Sequence, residues 1–174
     1  EPHPIAVLCS GISRGSNLQA IHSFLQKHNL PLQIALAVFT RKASPAYAWA
    51  QEMGIRTALI SVADMTVFED NLLELILMHN IELIALAGFM KCLSADFISR
   101  AAIPILNIHP ALLPKFGGKG MFGRAVHEAV WASGEKLSGA TIHRVDPLYD
   151  HGEILAQKVV DISACQSPAD IAKA

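Results

Sequence analysis

Short apolar runs alternate with amphipathic stretches along most of the chain. Pro4 to Ser10 (PIAVLCS) reads as a buried strand, and Gly11 to Gly15 as a turn. From Ser16 to Asn29, apolar Leu18, Ile21, Phe24 and Leu25 recur at helical spacing, which predicts a helix. Gln33 to Thr40 is a second strand, Pro45 starts a short helix ending near Gly54, and Arg56 to Ser61 is a third strand. Thr66-Val67-Phe68-Glu69 is a capping box ahead of a helix to about Asn80. Glu82 to Gly88 is a fourth strand, apolar on both faces as a central parallel strand should be. Ser94 caps a short helix that ends before Pro104, and Ile103 to Asn107 is the fifth strand.

Further on, Arg124 to Ala132 is helical. Leu137 to Val145 and Ile154 to Val160 form an antiparallel pair joined through Asp146 to Gly152. This alternation predicts an α/β fold: a doubly wound, mostly parallel sheet with helices on both faces and antiparallel strands near the C-terminus. No boundary, repeat or low-complexity stretch interrupts it, so a single domain over residues 1–174 is expected. Ser167-Pro168-Ala169-Asp170 has the cap, proline and first-turn acid of a helix start, yet only four residues follow. A helix that short does not stand alone, so the native chain is expected to continue and a C-terminal segment to be missing.

Composition narrows the classes. Of 174 residues, 52% are hydrophobic and 17% charged, enough for one domain with a sizeable core. A net charge of −1 supplies no basic field for nucleic acid. No apolar run approaches the ~20 residues that cross a bilayer, so no membrane partner is expected either. Cys9, Cys92 and Cys165 are odd in number and far apart, which suits reduced thiols in a cytoplasmic protein; no secretory leader pattern opens the chain. The eight histidines show no metal-binding spacing, so no metal is expected.

The chemistry concentrates in Asn107-Ile108-His109-Pro110-Ala111-Leu112-Leu113-Pro114. An amide and an imidazole two positions apart on an extended backbone project to the same side. The prolines then forbid helix and stiffen the exit. Such a pair at the end of a buried strand sits where open α/β sheets bind ligands, although a lone histidine after a strand is most often a satisfied loop residue. Gly11 to Asn17 follows the first strand and opens a helix, which suits either an anion site or a plain turn capped by Ser16. Asp146 and Asp150 fall between the last two strands, where aspartates usually bond their own backbone. His143, in an alternating stretch, reads as a strand-face residue rather than a ligand. Lys115 and Lys119 read as solvated.

Taken together, Gly88-Phe89-Met90, the Asn107 to Pro114 block, Ser138-Gly139-Ala140-Thr141-Ile142-His143 and Asp150-x-Gly152 resemble the folate-dependent formyltransferases over about Ile5 to Ile162. Gly15 to Ile21 (GSNLQAI) points to the branch acting on glycinamide ribonucleotide. The resemblance implies a Rossmann-like formyltransferase fold, with 10-formyltetrahydrofolate as co-substrate and 5-phosphoribosylglycinamide as acceptor, in a monomer or homodimer. It also assigns residues. Asn107, His109 and Asp150 match the catalytic trio, and Gly15, Ser16 and Asn17 match the loop that holds the substrate phosphate. Gly88, Met90, Lys91, Cys92 and Leu93, with Val145 and Asp146, match folate-lining segments, and Pro110 lies beside the nucleotide site. In the implied chemistry Asn107 donates to a developing oxyanion, a protonated His109 does likewise, and Asp150 holds that imidazolium and relays a proton. No covalent intermediate is required.

The sequence departs from the family pattern in two places. Gly11-Ile12-Ser13-Arg14 carries a two-residue insertion in the phosphate loop, and Gly117 to Gly123 is long. Other readings of the same core are a transfer-RNA formyltransferase, which needs a basic loop and a second domain, and a formyltetrahydrofolate deformylase, which needs a regulatory domain. A silent nucleotide- or folate-binding module, or a purely structural scaffold, would leave the polar trio without a use.

Overall fold

Strand β1 (His3–Cys9) forms where the sequence is apolar at every position from Pro4 on, because it lies between two parallel neighbours, β2 (Leu32–Phe39) and β4 (Leu83–Ala87). The computed structural model describes residues 2–10, 14–40 and 44–174. Short β3 (Thr57–Leu59) pairs parallel with the far side of β2. Ala6, Val7, Leu8 and Cys9 are all fully buried, which demands cover on both faces of the sheet. On one face Ile5, Val7 and Cys9 join Leu18 of helix α1 (Ser16–His28) and Ala46 and Ala50 of α2 (Pro45–Glu52). Helix α3 (Met65–Met78) buries Phe68, Leu72 and Ile76 at a four-residue spacing, and α4 (Ala95–Ala101) buries Phe97.

The chain divides into two compact units, residues 1–105 and 106–174. The second unit takes its form from β5 (Ile105–His109), β6 (Leu137–Arg144) and β7 (Ile154–Asp161), each antiparallel to the next. Helices α5 (Arg124–Ser133) and α6 (Pro168–Lys173) share a small core of Ala111, Val126, Val130, Ile162 and Ile171. Across the sheet the hydrogen-bonded order is β3-β2-β1-β4-β5-β6-β7. This is the expected α/β arrangement, mostly parallel, with antiparallel strands toward the C-terminus.

Local differences from the sequence expectations have physical causes. β5 runs on to His109, so both polar residues of the Asn107–His109 pair stand on the strand itself. The box read at Thr66–Glu69 does not cap α3. Asp64 does, accepting from the Thr66 and Val67 N–H groups at 2.9 and 3.2 Å. With that cap in place the helix already begins at Met65, and Glu69 turns to a different partner. Phe24 is 55% exposed on α1, whereas Ile21 and Leu25 pack on the core. At α6 the expected cap is present: Ser167 Oγ accepts from the Asp170 N–H at 3.2 Å. The expected turn from Gly11 falls largely on residues 11–13, outside the described residues.

Candidate active site

Antiparallel pairing of β5 with β6 sets Asn107 opposite His143 and His109 opposite Thr141. Directly opposed residues bring their side chains within a few ångströms on the same face. Asn107 Nδ2 lies 3.1 Å from His143 Nε2, and the Nδ1–H of His143 donates to its neighbour's carbonyl, Arg144 O, at 3.1 Å. In neutral His143, with the proton on Nδ1, Nε2 accepts from the Asn107 amide and leaves the second amide N–H for another acceptor; in charged His143, Nε2–H donates instead, toward Asp150.

Asp150 completes the group. Its Oδ1 is 3.4 Å from both His109 Nδ1 and His143 Nε2, and its Oδ2 accepts from the Gly118 N–H at 3.0 Å. The carboxylate reaches this position because Asp150 adopts a left-handed backbone (φ 51) at the end of the β6–β7 connection. Gly152 lets that connection close: a Cβ there would collide with the Arg144 carbonyl oxygen, so the glycine of the D-x-G pair is a steric necessity. Arg144 N–H then donates to Glu153 O at 2.8 Å, sealing the return into β7.

The charges reinforce one another. Burial pushes the Asp150 carboxyl up, but His109, His143 and the Gly118 N–H override it and hold the group well below the usual carboxylate range. Burial pulls His143 down, yet Asp150 and the Arg144 carbonyl outweigh it and raise its pKa. His109 Nε2 donates to Phe116 O at 2.7 Å, so both of its ring nitrogens face oxygen acceptors. In this geometry both donors that the sequence reading gave to His109 are engaged, Nδ1 toward Asp150 and Nε2 by Phe116 O. On α5, His127 is pushed down, first by burial and then by the charge of His109.

The segment after His109 is pinned from β6 and β7. Thr141, fully buried, donates its Oγ1–H to Ala111 O at 2.7 Å and accepts from Leu113 N–H at 3.1 Å. Gln157 of β7, paired with Thr141, donates to Leu113 O at 2.9 Å. His109 and Pro110 are therefore followed by a backbone that cannot swing.

His143 is the residue the sequence reading missed. It is a strand-face residue as expected, but a buried one at 2% exposure, bonded to Asn107 and Asp150 rather than packed in a core. The β5–β6 register is the signal that identifies it. Asn107, His109 and Asp150 come together. Asp146 lies at the start of the same connection, accepting from Leu148 N–H at 2.8 Å and pairing with His151 Nδ1 at 2.7 Å.

Of the other expected residues, Pro110 and Val145 belong to the second unit and the rest to the first. Gly15 is the N-cap of α1, in left-handed conformation (φ 78), and a Cβ on it would come within 2.6 Å of Ala46 Cβ. Among the described residues no side-chain hydrogen bond caps that helix end; Ser16 is exposed and Asn17 half-buried. Gly88, Met90, Lys91 and Cys92 follow β4, whose end pairs with the end of β1 (Cys9 with Ala87), so both segments leave the same edge of the sheet. Leu93 is 2% exposed, a core side chain that can offer a ligand only its backbone. Lys115 pairs with Glu135 at 2.7 Å in the open. Among the described residues, no three His, Cys, Asp or Glu side chains are grouped to hold a metal, and no helix is long and apolar enough to cross a membrane.

Comparison with known proteins places this geometry in a family. The formyl transferase family model matches residues 3–174. The chain belongs to the formyl transferase family. It is 35% identical over 173 residues to the chloroplastic phosphoribosylglycinamide formyltransferase of Arabidopsis thaliana, covering 97% of this chain and 59% of that protein. It therefore spans less than two thirds of the plant relative's length. It is 34% identical over 160 residues to phosphoribosylglycinamide formyltransferase of Bacillus subtilis, covering 90% of this chain and 78% of the relative. Among solved structures, the phosphoribosylglycinamide formyltransferase of Coxiella burnetii, in complex with CHES, superposes with a TM-score of 0.86 at 35% identity, over 99% of this chain and 79% of that one.

Proposed function

We propose that this formyl transferase moves a formyl group from 10-formyltetrahydrofolate to the primary amine of 5-phosphoribosylglycinamide, a step of purine biosynthesis. The buried meeting of Asn107, His109 and His143 on an ionised Asp150 carries the reading. Formyl transfer needs a donor for the oxyanion that develops on the formyl group and a path for the amine proton to the leaving nitrogen. The amide N–H of Asn107 not used by His143 is that donor, and such a donor is typically worth ~10²–10³ in rate. Asp150 holds the two imidazoles in orientation and takes part in the proton path.

The phosphate fits the uncapped start of α1 at Gly15, Ser16 and Asn17, where backbone N–H groups and the helix dipole favour an anion. Gly88, Met90, Lys91, Cys92, the backbone of Leu93, and Val145 and Asp146 are assigned to the folate, and Pro110 to the nucleotide. The free thiols of Cys9 and Cys165 support a reducing, cytoplasmic setting.

An absorbance assay of folate deformylation tests this, run with and without 5-phosphoribosylglycinamide. The expected result is amine-dependent turnover that collapses in Asn107→Ala, His109→Ala and Asp150→Asn. Folate consumption without the amine would indicate a deformylase instead, and folate binding without turnover a binding module.

A further inference from the structure

Three consecutive side chains of α3 grip the stretch between β4 and the end of α4. Phe68 stacks on Phe89, ring centroids 5.4 Å apart and planes inclined by 19°. Asp70 accepts from Arg100 Nη1 at 3.0 Å. Glu69, between them in sequence and only 8% exposed, accepts the Ser94 backbone N–H at Oε1 (2.7 Å) and the Ser94 hydroxyl at Oε2 (2.6 Å). Phe89 and Ser94 are the two ends of the irregular segment that carries Met90, Lys91, Cys92 and Leu93.

A helix cap alone does not require this arrangement. Ser94 Oγ already caps α4 by accepting from the Phe97 N–H at 3.0 Å, just as Ser44 Oγ caps α2 from Tyr47 N–H at 3.1 Å. Taking a carboxylate out of water is costly unless hydrogen bonds repay it. What Glu69 adds beyond the cap is a hold on the Ser94 backbone, and so on the direction in which the chain arrives from Leu93. A segment without regular secondary structure has no ladder to set its shape, so side-chain bonds at its ends set it.

We infer that Glu69 is a positioning residue: it shapes the Met90–Leu93 segment for the folate without touching it. The inference rests on the formyl-transfer reading above. Its signature is selective, because the grip acts on one substrate's segment. In Glu69→Ala the KM for 10-formyltetrahydrofolate should rise about tenfold, the equivalent of ~1.4 kcal/mol. The KM for 5-phosphoribosylglycinamide should stay unchanged. Glu69→Gln should fall between wild type and Glu69→Ala, since it keeps one acceptor oxygen and puts an NH2 group in place of the other. Asp70→Asn, altering an exposed link between the same helices, should match wild type.

Steady-state kinetics with both substrates varied, on protein whose folding is checked by circular dichroism, decide the matter. A folate KM equal to wild type in folded Glu69→Ala overturns the inference, and so does a parallel rise in both KM values. If Glu69→Ala does not fold, Glu69→Gln decides by the same two criteria. A wild-type protein that neither binds nor uses the folate would instead sink the formyl-transfer reading itself.

Discussion

Asn107 and His143 face each other across the β5–β6 ladder, with Asn107 Nδ2 3.1 Å from His143 Nε2. When His143 is neutral at Nε2, the amide is thereby held in one of its two orientations: its N–H side points at the imidazole, and one N–H is left for a ligand. His143→Ala removes the partner that fixes this orientation while leaving the donor in place. Turnover should fall on the order of tenfold, against ~10²–10³ for Asn107→Ala. Rates of the two single variants and the double variant check it; coupling shows as a double-variant loss smaller than the product of the single losses.

Asp150 is what keeps His143 above its ordinary pKa, because burial alone acts in the other direction. In Asp150→Asn the His143 titration should therefore move down, past the ordinary histidine value of ~6.5. Imidazole proton shifts followed by NMR across pH measure this directly; an unmoved titration would show that another group supplies the field.

The same contacts set a pH window for stability. Asp150 is depressed in the folded state, so its contribution is present above the unfolded value of ~3.9 and is lost as pH falls through the folded value. His143 is raised, so its contribution is full below ~6.5 and is lost as pH rises through its folded value. The difference in thermal midpoint between wild type and Asp150→Asn should be greatest between pH ~4 and ~6.5 and shrink on both sides. Calorimetry over that range tests the shape of the curve.

Thr141→Val is nearly isosteric but deletes a buried hydroxyl that bonds Ala111 O, Leu113 N–H and Gln157. The Leu113 N–H and the Gln157 amide lose an acceptor, which should destabilise the protein by about 1–3 kcal/mol. Urea unfolding gives the number. A loss of activity larger than this stability change accounts for would show that the Ala111–Leu113 backbone also holds His109 in place.

Gly152→Ala should be worse for the site than for the fold. The added Cβ runs into the Arg144 carbonyl, and relief requires the Asp146–Gly152 connection to shift and carry Asp150 with it. Activity should drop to near that of Asp150→Asn, with a stability cost of about 1–3 kcal/mol as for other overpacked sites.

The strand and helix positions were legible in the sequence because each is announced locally: continuous apolar runs in β1 and β4, helical spacing in α1, and Ser94 and Ser167 ahead of α4 and α6. Asn107 and His109 were legible for the same reason, since their common side follows from alternation along one strand. What failed depended on partners distant in sequence. His143 acquires its role from a residue 36 positions away, through a strand register that periodicity does not specify. Glu69 matched a capping box, yet Asp64 reaches the first N–H groups and Ser94, 25 positions on, takes the glutamate.

The register that joins β5 to β6 serves the fold and the chemistry with the same hydrogen bonds. A slip of one residue would turn His143 and Thr141 to the opposite side of the sheet, removing both the amide's partner and the clamp on the Ala111–Leu113 backbone. A chain that has collapsed with these strands mispaired is therefore inert rather than partly active. In a refolding experiment, recovered turnover counts the molecules whose strands have found their true alignment, even where helical content and compactness have already returned.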